Sequence, residues 1–152
     1  MKAKELMIGD WIKLKDAKLG DVNFIGPVVQ IKSITGKHVL VPNSKGLLED
    51  VTEEYLLPIP ITPDILEKNG YKQIKGGKVM GLHVADIFNL EISDEYGCQL
   101  KIDLQDFGST EATHWYITIQ GKFSFSGYIG YLHQLQHVLR LCGVDKEIKV
   151  EE

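Results

Sequence analysis

The stretch YLHQLQH, residues 131–137, places His133 and His137 four residues apart in a run that reads as helix. That spacing brings two imidazoles onto one helix face, where they could share a metal ion. Hydrolysis at such a centre needs two further parts: a carboxylate next to the first histidine as general base, and a third protein ligand. The residue after His133 is Gln134, and a neutral amide cannot take a proton from bound water. No third ligand stands out downstream. The expectation is no metal and no cofactor, with a metal-dependent enzyme around His133 and His137 kept only as a third reading.

Other chemical constellations are weaker still. Asp103 and Asp106 could face each other, with Glu111 and His114 near in sequence. Paired carboxylates do acid–base work when separation and burial push their pKa values apart. Strand alternation instead lays Lys101, Asp103, His114 and Tyr116 on the wet face of a sheet, where a cross-strand polar cluster is the simpler reading. Cys142 falls on an apolar helix stripe, as a structural thiol does, and Cys98 sits at a hairpin edge without a base beside it. There is no phosphate-binding loop, dinucleotide fingerprint or nucleophile elbow. No catalytic residue is assigned.

The elements that hold these residues are legible as an α+β half, residues 61–152. LLPIPITPD carries Pro58, Pro60 and Pro63, which stiffen the chain and mark a domain joint. Thr62 is a good N-cap, Pro63 suits the first helical position, Asp64 suits the first turn, and Asn69-Gly70 ends a short helix. IFNLEIS (87–93), QLKIDLQ (99–105) and HWYITIQ (114–120) alternate with period two, and Phe123 and Phe125 begin a fourth strand. Ser93 to Gly97 is a hairpin loop. One face of this antiparallel sheet is apolar and must be covered. The cover is an amphipathic helix, residues 128–142, capped by Ser126 and stopped by Gly143. Its stripe is Tyr128, Tyr131, Leu132, Leu135, Val138, Leu139 and Cys142, which turns His133, His137, Gln134 and Arg140 toward water.

Residues 1–60 read as an all-β half. LMIGDWIKLK, VVQIKSI (28–34), HVLV (38–41) and a segment around Tyr55 to Leu57 are short strands, separated by turn signals at Gly20, Gly26-Pro27, Gly36-Lys37, Pro42-Asn43 and Lys45-Gly46. An L-x-x-G-D-W opening followed by short strands resembles SH3-like barrels. Trp11 beside Lys13 and Lys15 could stack a base inside a cationic rim, although a half-buried tryptophan with solvated lysines explains it as well. KNGYKQIKGGK (68–78) is the one clearly basic patch; its Gly76-Gly77 pair reads as a hairpin turn, and Lys72, Lys75 and Lys78 join Lys13 and Lys15 as nucleic-acid candidates.

Bulk composition narrows the classes. Hydrophobic residues make up 43% and charged residues 25% of 152, which is globular. The net charge of −4, and one arginine among 17 basic residues, both argue against nucleic acid. MKAKELMIGD lacks the apolar core of a signal peptide, and no stretch approaches the roughly 20 apolar residues of a membrane helix. The expected setting is a reducing cytosol, without membrane contact.

Three blocks, LMIGDWIK (6–13), PIPITPDILEKNGY (58–71) and YLHQLQHVLRLCGVDKEI (131–148), are similar to a family of small uncharacterised proteins carried by anaerobic gut bacteria and their phages or mobile elements. The resemblance implies a small cytosolic accessory protein and carries over no catalytic residue. The leading functional expectation is a non-enzymatic binding or protein-interaction module. Its contact surfaces would be the groove between the two halves and the helix face of His133, His137 and Arg140, with Trp11 as a further candidate. A nucleic-acid-binding accessory protein is the alternative.

Overall fold

The computed structural model describes residues 1–19, 22–93, 97–107, 115–121, 124–144 and 146–150. The fold is mixed and mostly sheet, with open antiparallel sheets and one long helix. Backbone contacts divide the chain into two compact units, Met1–Ile59 with Val150–Glu152, and Pro60–Lys149.

The first unit contains β1 (Trp11–Leu14), β2 (Ala17–Leu19), β3 (Val22–Phe24), β4 (Val28–Gln30), β5 (Ser33–Thr35), β6 (His38–Pro42), β7 (Leu48–Thr52) and β8 (Leu56–Leu57). They pair as β4-β1-β8, β5-β6-β7 and a β2-β3 ribbon. Gly9, at φ 88°, lets the chain turn into β1, and the buried Asp10 carboxylate accepts the Met7 N–H at 2.7 Å. The G-D of the opening motif is therefore a turn lock.

Among the described residues these strands close no barrel, and VVQIKSI is not one strand. The Ile31 N–H goes to Asp10 O at 2.9 Å, while the Lys32 N–H goes to Leu40 O at 2.9 Å. The chain thus changes sheets between Ile31 and Lys32. Ile12, Val29, Ile31, Val39, Val41 and Leu56 fill one core with Ala3 and Leu6.

The second unit opens with α1 (Pro63–Lys68), whose ends follow the sequence reading. Thr62 Oγ1 accepts the Ile65 N–H at 3.3 Å. Gly70, at φ 86°, closes the helix: its N–H reaches Glu67 O at 2.9 Å and the Tyr71 N–H reaches Leu66 O at 3.0 Å. Next come β9 (Lys72–Ile74), β10 (Gly77–Val79), β11 (Leu82–Val84), β12 (Ile87–Ser93), β13 (Gln99–Asp106), β14 (Trp115–Gln120), β15 (Phe125–Ile129) and α2 (Leu132–Leu141).

Five strands form an antiparallel sheet in the order β15-β14-β13-β12-β9. Period-two alternation buries Phe88, Leu90, Leu100, Ile102, Leu104, Trp115, Ile117 and Ile119 on one face. Phe88 and Trp115 pack edge to face at 5.5 Å, and Trp115 Nε1 donates to Ile61 O at 3.1 Å. Residues 94–96 of the expected hairpin loop lie outside the described residues, as do Gly20, Glu111, His114 and Phe123.

Gly76-Gly77 is not the hairpin turn. β9 pairs with β12, whereas β10 pairs with β11 around Met80-Gly81. Met80 and Gly81 have φ 51° and 81°, so both are left-handed, as a two-residue I′ turn requires. Gly76 serves a close approach instead, since a Cβ there would lie 1.9 Å from Val84 O. Asp86 holds that crossing by accepting the Gly76 N–H at 2.8 Å and Gln73 Nε2 at 2.9 Å.

Candidate functional site

The helix that carries the histidines begins at Leu132, not at 128. Phe125–Ile129 is committed to β15, which pairs with β14 from Ile119↔Phe125 to Trp115↔Ile129. Ser126 is therefore a strand residue and not a cap. Gln134 does the capping: its Oε1 accepts the N–H of Gly130 at 2.8 Å and of Tyr131 at 3.1 Å. The amide at the position where a metallopeptidase keeps its base thus has a structural task.

Burial on α2 extends further round than one stripe. Leu132, Leu135, Val138 and Leu139 are buried as expected, but His133 and Gln136 are buried too, at 5% and 7% exposure. His133 does not face water. Its ring stacks on Tyr131 at 5.9 Å and meets His137 edge-on at 5.8 Å. His137 is half-buried, Arg140 exposed, and Leu141 76% exposed. Of the expected face of His133, His137 and Arg140, the last two remain at the surface, with Leu141 beside them. Among the described residues no three His, Cys, Asp or Glu side chains gather where they could hold a metal ion.

Past α2 the tail is locked. Gly143, at φ 75°, and Val144 close the helix through N–H bonds to Arg140 O at 3.0 Å and Leu139 O at 2.9 Å. Val144 and Ile148 are buried. Asn69 pairs with Lys149 as a strand residue would, donating Nδ2 to its carbonyl at 2.9 Å and accepting its N–H at 2.8 Å. Nδ2 also reaches Ile65 O at 2.8 Å, and Lys146 Nζ donates to Asn69 O at 2.6 Å. Partial burial lowers the Lys146 pKa. Much of the 131–148 block is accounted for by capping and docking.

The cysteines are both thiols: Cys98 is exposed, while Cys142 is the C-cap of α2, part-buried, and its pKa is raised by desolvation. In the first unit, Trp11 is half-buried. Lys13 lies 3.6 Å from Asp16. That carboxylate accepts the Gly26 N–H at 2.8 Å, which, with Lys13 second, holds its pKa low. Lys13 therefore supports a turn, while Lys15 is exposed. Lys72, Lys75 and Lys78 are all exposed around β9 and β10.

The open face of the five-stranded sheet is the most developed surface. Asp103 accepts Asn89 Nδ2 at 2.7 Å across the β12–β13 pair and lies 3.3 Å from Lys101 Nζ on its own strand; of the other residues expected to cluster with them, His114 lies outside the described residues and Tyr116 pairs with Gln105 instead. Asp106 alternates onto the other face, opposite Trp115, so the two aspartates are not brought together.

Register carries one row across all five strands: Ile74, Ile87, Gln105, Tyr116 and Tyr128. The neighbouring row is Lys72, Asn89, Asp103, Thr118 and Ser126. At strand spacing each row spans about 19 Å. At one end Tyr116 meets Tyr128 at 5.0 Å, and Phe107 meets both at 6.3 Å. Tyr128 is 69% exposed, Phe107 52% and Ile74 54%.

Of this row, sequence reasoning had only Tyr116. Tyr128 was assigned to the helix, although the alternation of FSFSGYI would have carried the fourth strand to Ile129. No protein-family model, curated protein or solved structure matches this chain.

Proposed function

We propose that the protein is a non-enzymatic interaction module that grips a partner protein with the open face of its five-stranded sheet. The carrying observation is the ring cluster of Phe107, Tyr116 and Tyr128, in which a half-buried Tyr116 holds Phe107 and Tyr128 together while both stay exposed. Tyrosine anchors within a rim of mixed charge, here Lys72, Lys101, Glu91 and Asp103, are the composition of a protein interface. A polyanion would meet the two carboxylates, which favours protein over nucleic acid. The complementary surface is an apolar stripe about 19 Å long, bordered by amide or basic donors for Asp103.

The module is a small cytosolic accessory protein of the kind carried by gut anaerobes and their mobile elements. Its first unit is an opened relative of an SH3-like barrel, supported by a segment, 28–35, that serves two three-stranded sheets around one core. Its second unit is a sheet covered by α2, supported by the buried faces of both.

The test is capture from a lysate of the source organism with the wild type and with a Tyr116→Ser/Tyr128→Ser variant, each with and without nuclease. The expected result is a protein enriched by the wild type regardless of nuclease and lost in the variant. Equal enrichment by both proteins, or enrichment that nuclease abolishes, would overturn the reading.

A further inference from the structure

Every residue of the β10–β11 hairpin, Gly77 to Val84, is exposed. Val79 is 59% exposed, Leu82 72% and Met80, at the apex, 99%. The register puts Val79 opposite Leu82, and Lys78 opposite His83 on the other face. A two-stranded ribbon with no buried side is marginal in water. Met80 also occupies a left-handed position, φ 51°, that normally goes to asparagine, aspartate or glycine. An apolar residue is thus kept at the tip against local preference.

Along the segment itself the charge is one-sided, and the carboxylate at its base, Asp86, is taken up by Gly76 and Gln73. From Lys68 to Val84 the chain has four lysines and no Asp or Glu, inside a protein of net charge −4.

We infer that this hairpin is a peripheral anchor for an anionic lipid bilayer. Val79, Met80 and Leu82 enter the interface, Lys78 sits at headgroup level, and Lys75, further back along the chain, adds to the attraction of the charged surface. Lys78 lies two residues behind Met80, about 7 Å along an extended strand. That matches the roughly 5–10 Å to which interfacial apolar segments are buried. The residue types separate this ligand from the others. Arginine reads bases and aromatic or arginine anchors dominate protein interfaces, and the hairpin has neither. Lysine and aliphatic side chains are what a charged headgroup layer over hydrocarbon selects. No described helix is long and apolar enough to cross a membrane.

The test is co-sedimentation of the full chain with vesicles of phosphatidylcholine alone and with 30 mol% phosphatidylglycerol, the latter an arbitrary anionic load of roughly the strength that attracts basic segments. Wild type should partition onto the anionic vesicles and leave them as salt rises. Met80→Asp should lower the partition coefficient roughly tenfold or more. Lys78→Gln should lower it about fivefold, and Lys75→Gln, further from the surface, by less. All three sites are exposed, and an unchanged circular dichroism spectrum verifies folding. No partition onto anionic vesicles, equal partition onto both kinds, or wild-type behaviour of Met80→Asp would each overturn the inference. So would retention by duplex DNA with vesicles ignored, which would assign the lysines to nucleic acid.

Discussion

Asn69→Ala is the sharpest perturbation of the second unit. It deletes three side-chain hydrogen bonds: Nδ2 to Ile65 O at 2.8 Å, Nδ2 to Lys149 O at 2.9 Å, and Oδ1 from Lys149 N at 2.8 Å. Each is worth about 0.5–1.5 kcal/mol net, which brackets the loss at roughly 1.5–4.5 kcal/mol. Lys149 is exposed, so water can re-pair its backbone, and the lower part of the range applies: about 2 kcal/mol. With a urea slope of about 1–2 kcal/mol per molar for a unit of this size, the midpoint falls by roughly 1–2 M.

The assay is urea unfolding followed by Trp115 fluorescence in a Trp11→Phe background. The chain has two tryptophans, and Trp115 belongs to the second unit. Hydrogen exchange gives a second reading, because the Lys149 N–H should lose its protection in the variant. A midpoint unchanged within error, with Lys149 still protected, would refute the idea that Asn69 locks the tail.

Two further outcomes follow from single side chains. Gln134→Ala removes the acceptor for Gly130 and Tyr131 and should cost about 1 kcal/mol in the same urea assay, whereas Gln134→Glu keeps the acceptor, adds an anion at a helix N-terminus and should be at least as stable as wild type. Tyr71 is 4% exposed, its hydroxyl has no hydrogen-bond partner among the described residues, and burial raises its pKa far above the ordinary value of about 10. The phenol stays neutral in the folded state while the unfolded chain ionises above about pH 10, so the stability it contributes is intact below that pH and declines above it. Absorbance at 295 nm should show a late ionisation coincident with unfolding, missing in Tyr71→Phe; identical curves would contradict the burial argument.

Local rules reached as far as local interactions decide. Thr62, Pro63 and Gly70 bounded α1, and the alternation of 87–93 and 99–105 reported which side chains are dry, because caps and pleats act over a few residues. Tyr128 shows where that stops. Tyr128, Tyr131, Leu132 and Leu135 satisfy helical spacing, yet Tyr128 is a strand residue because β14 offers it a hydrogen-bonded partner. Only pairing between distant segments decides such a case.

His133 failed for a similar reason. A helical wheel locates the most apolar stripe but cannot show that burial extends round to His133 and Gln136. At the hairpin, Gly76-Gly77 drew the turn assignment because glycine is the usual left-handed residue; the turn belongs to Met80-Gly81, and Gly76 is needed for a close backbone crossing. The row from Ile74 to Tyr128 exists only through the register of four strand pairs, so its members are scattered over 55 positions of the sequence, counting both ends from 74 to 128.

The central claim concerns which surface meets a partner, and photo-crosslinking reads that directly. p-Benzoylphenylalanine would be placed at Tyr128 on the sheet face and, separately, at Leu141 on the exposed side of α2, two sites 69% and 76% exposed. The account predicts one discrete protein adduct from position 128 in cells of the source organism and none of the same mass from position 141. Adducts from 141 alone would contradict it and return the contact to the helix face of His137 and Arg140.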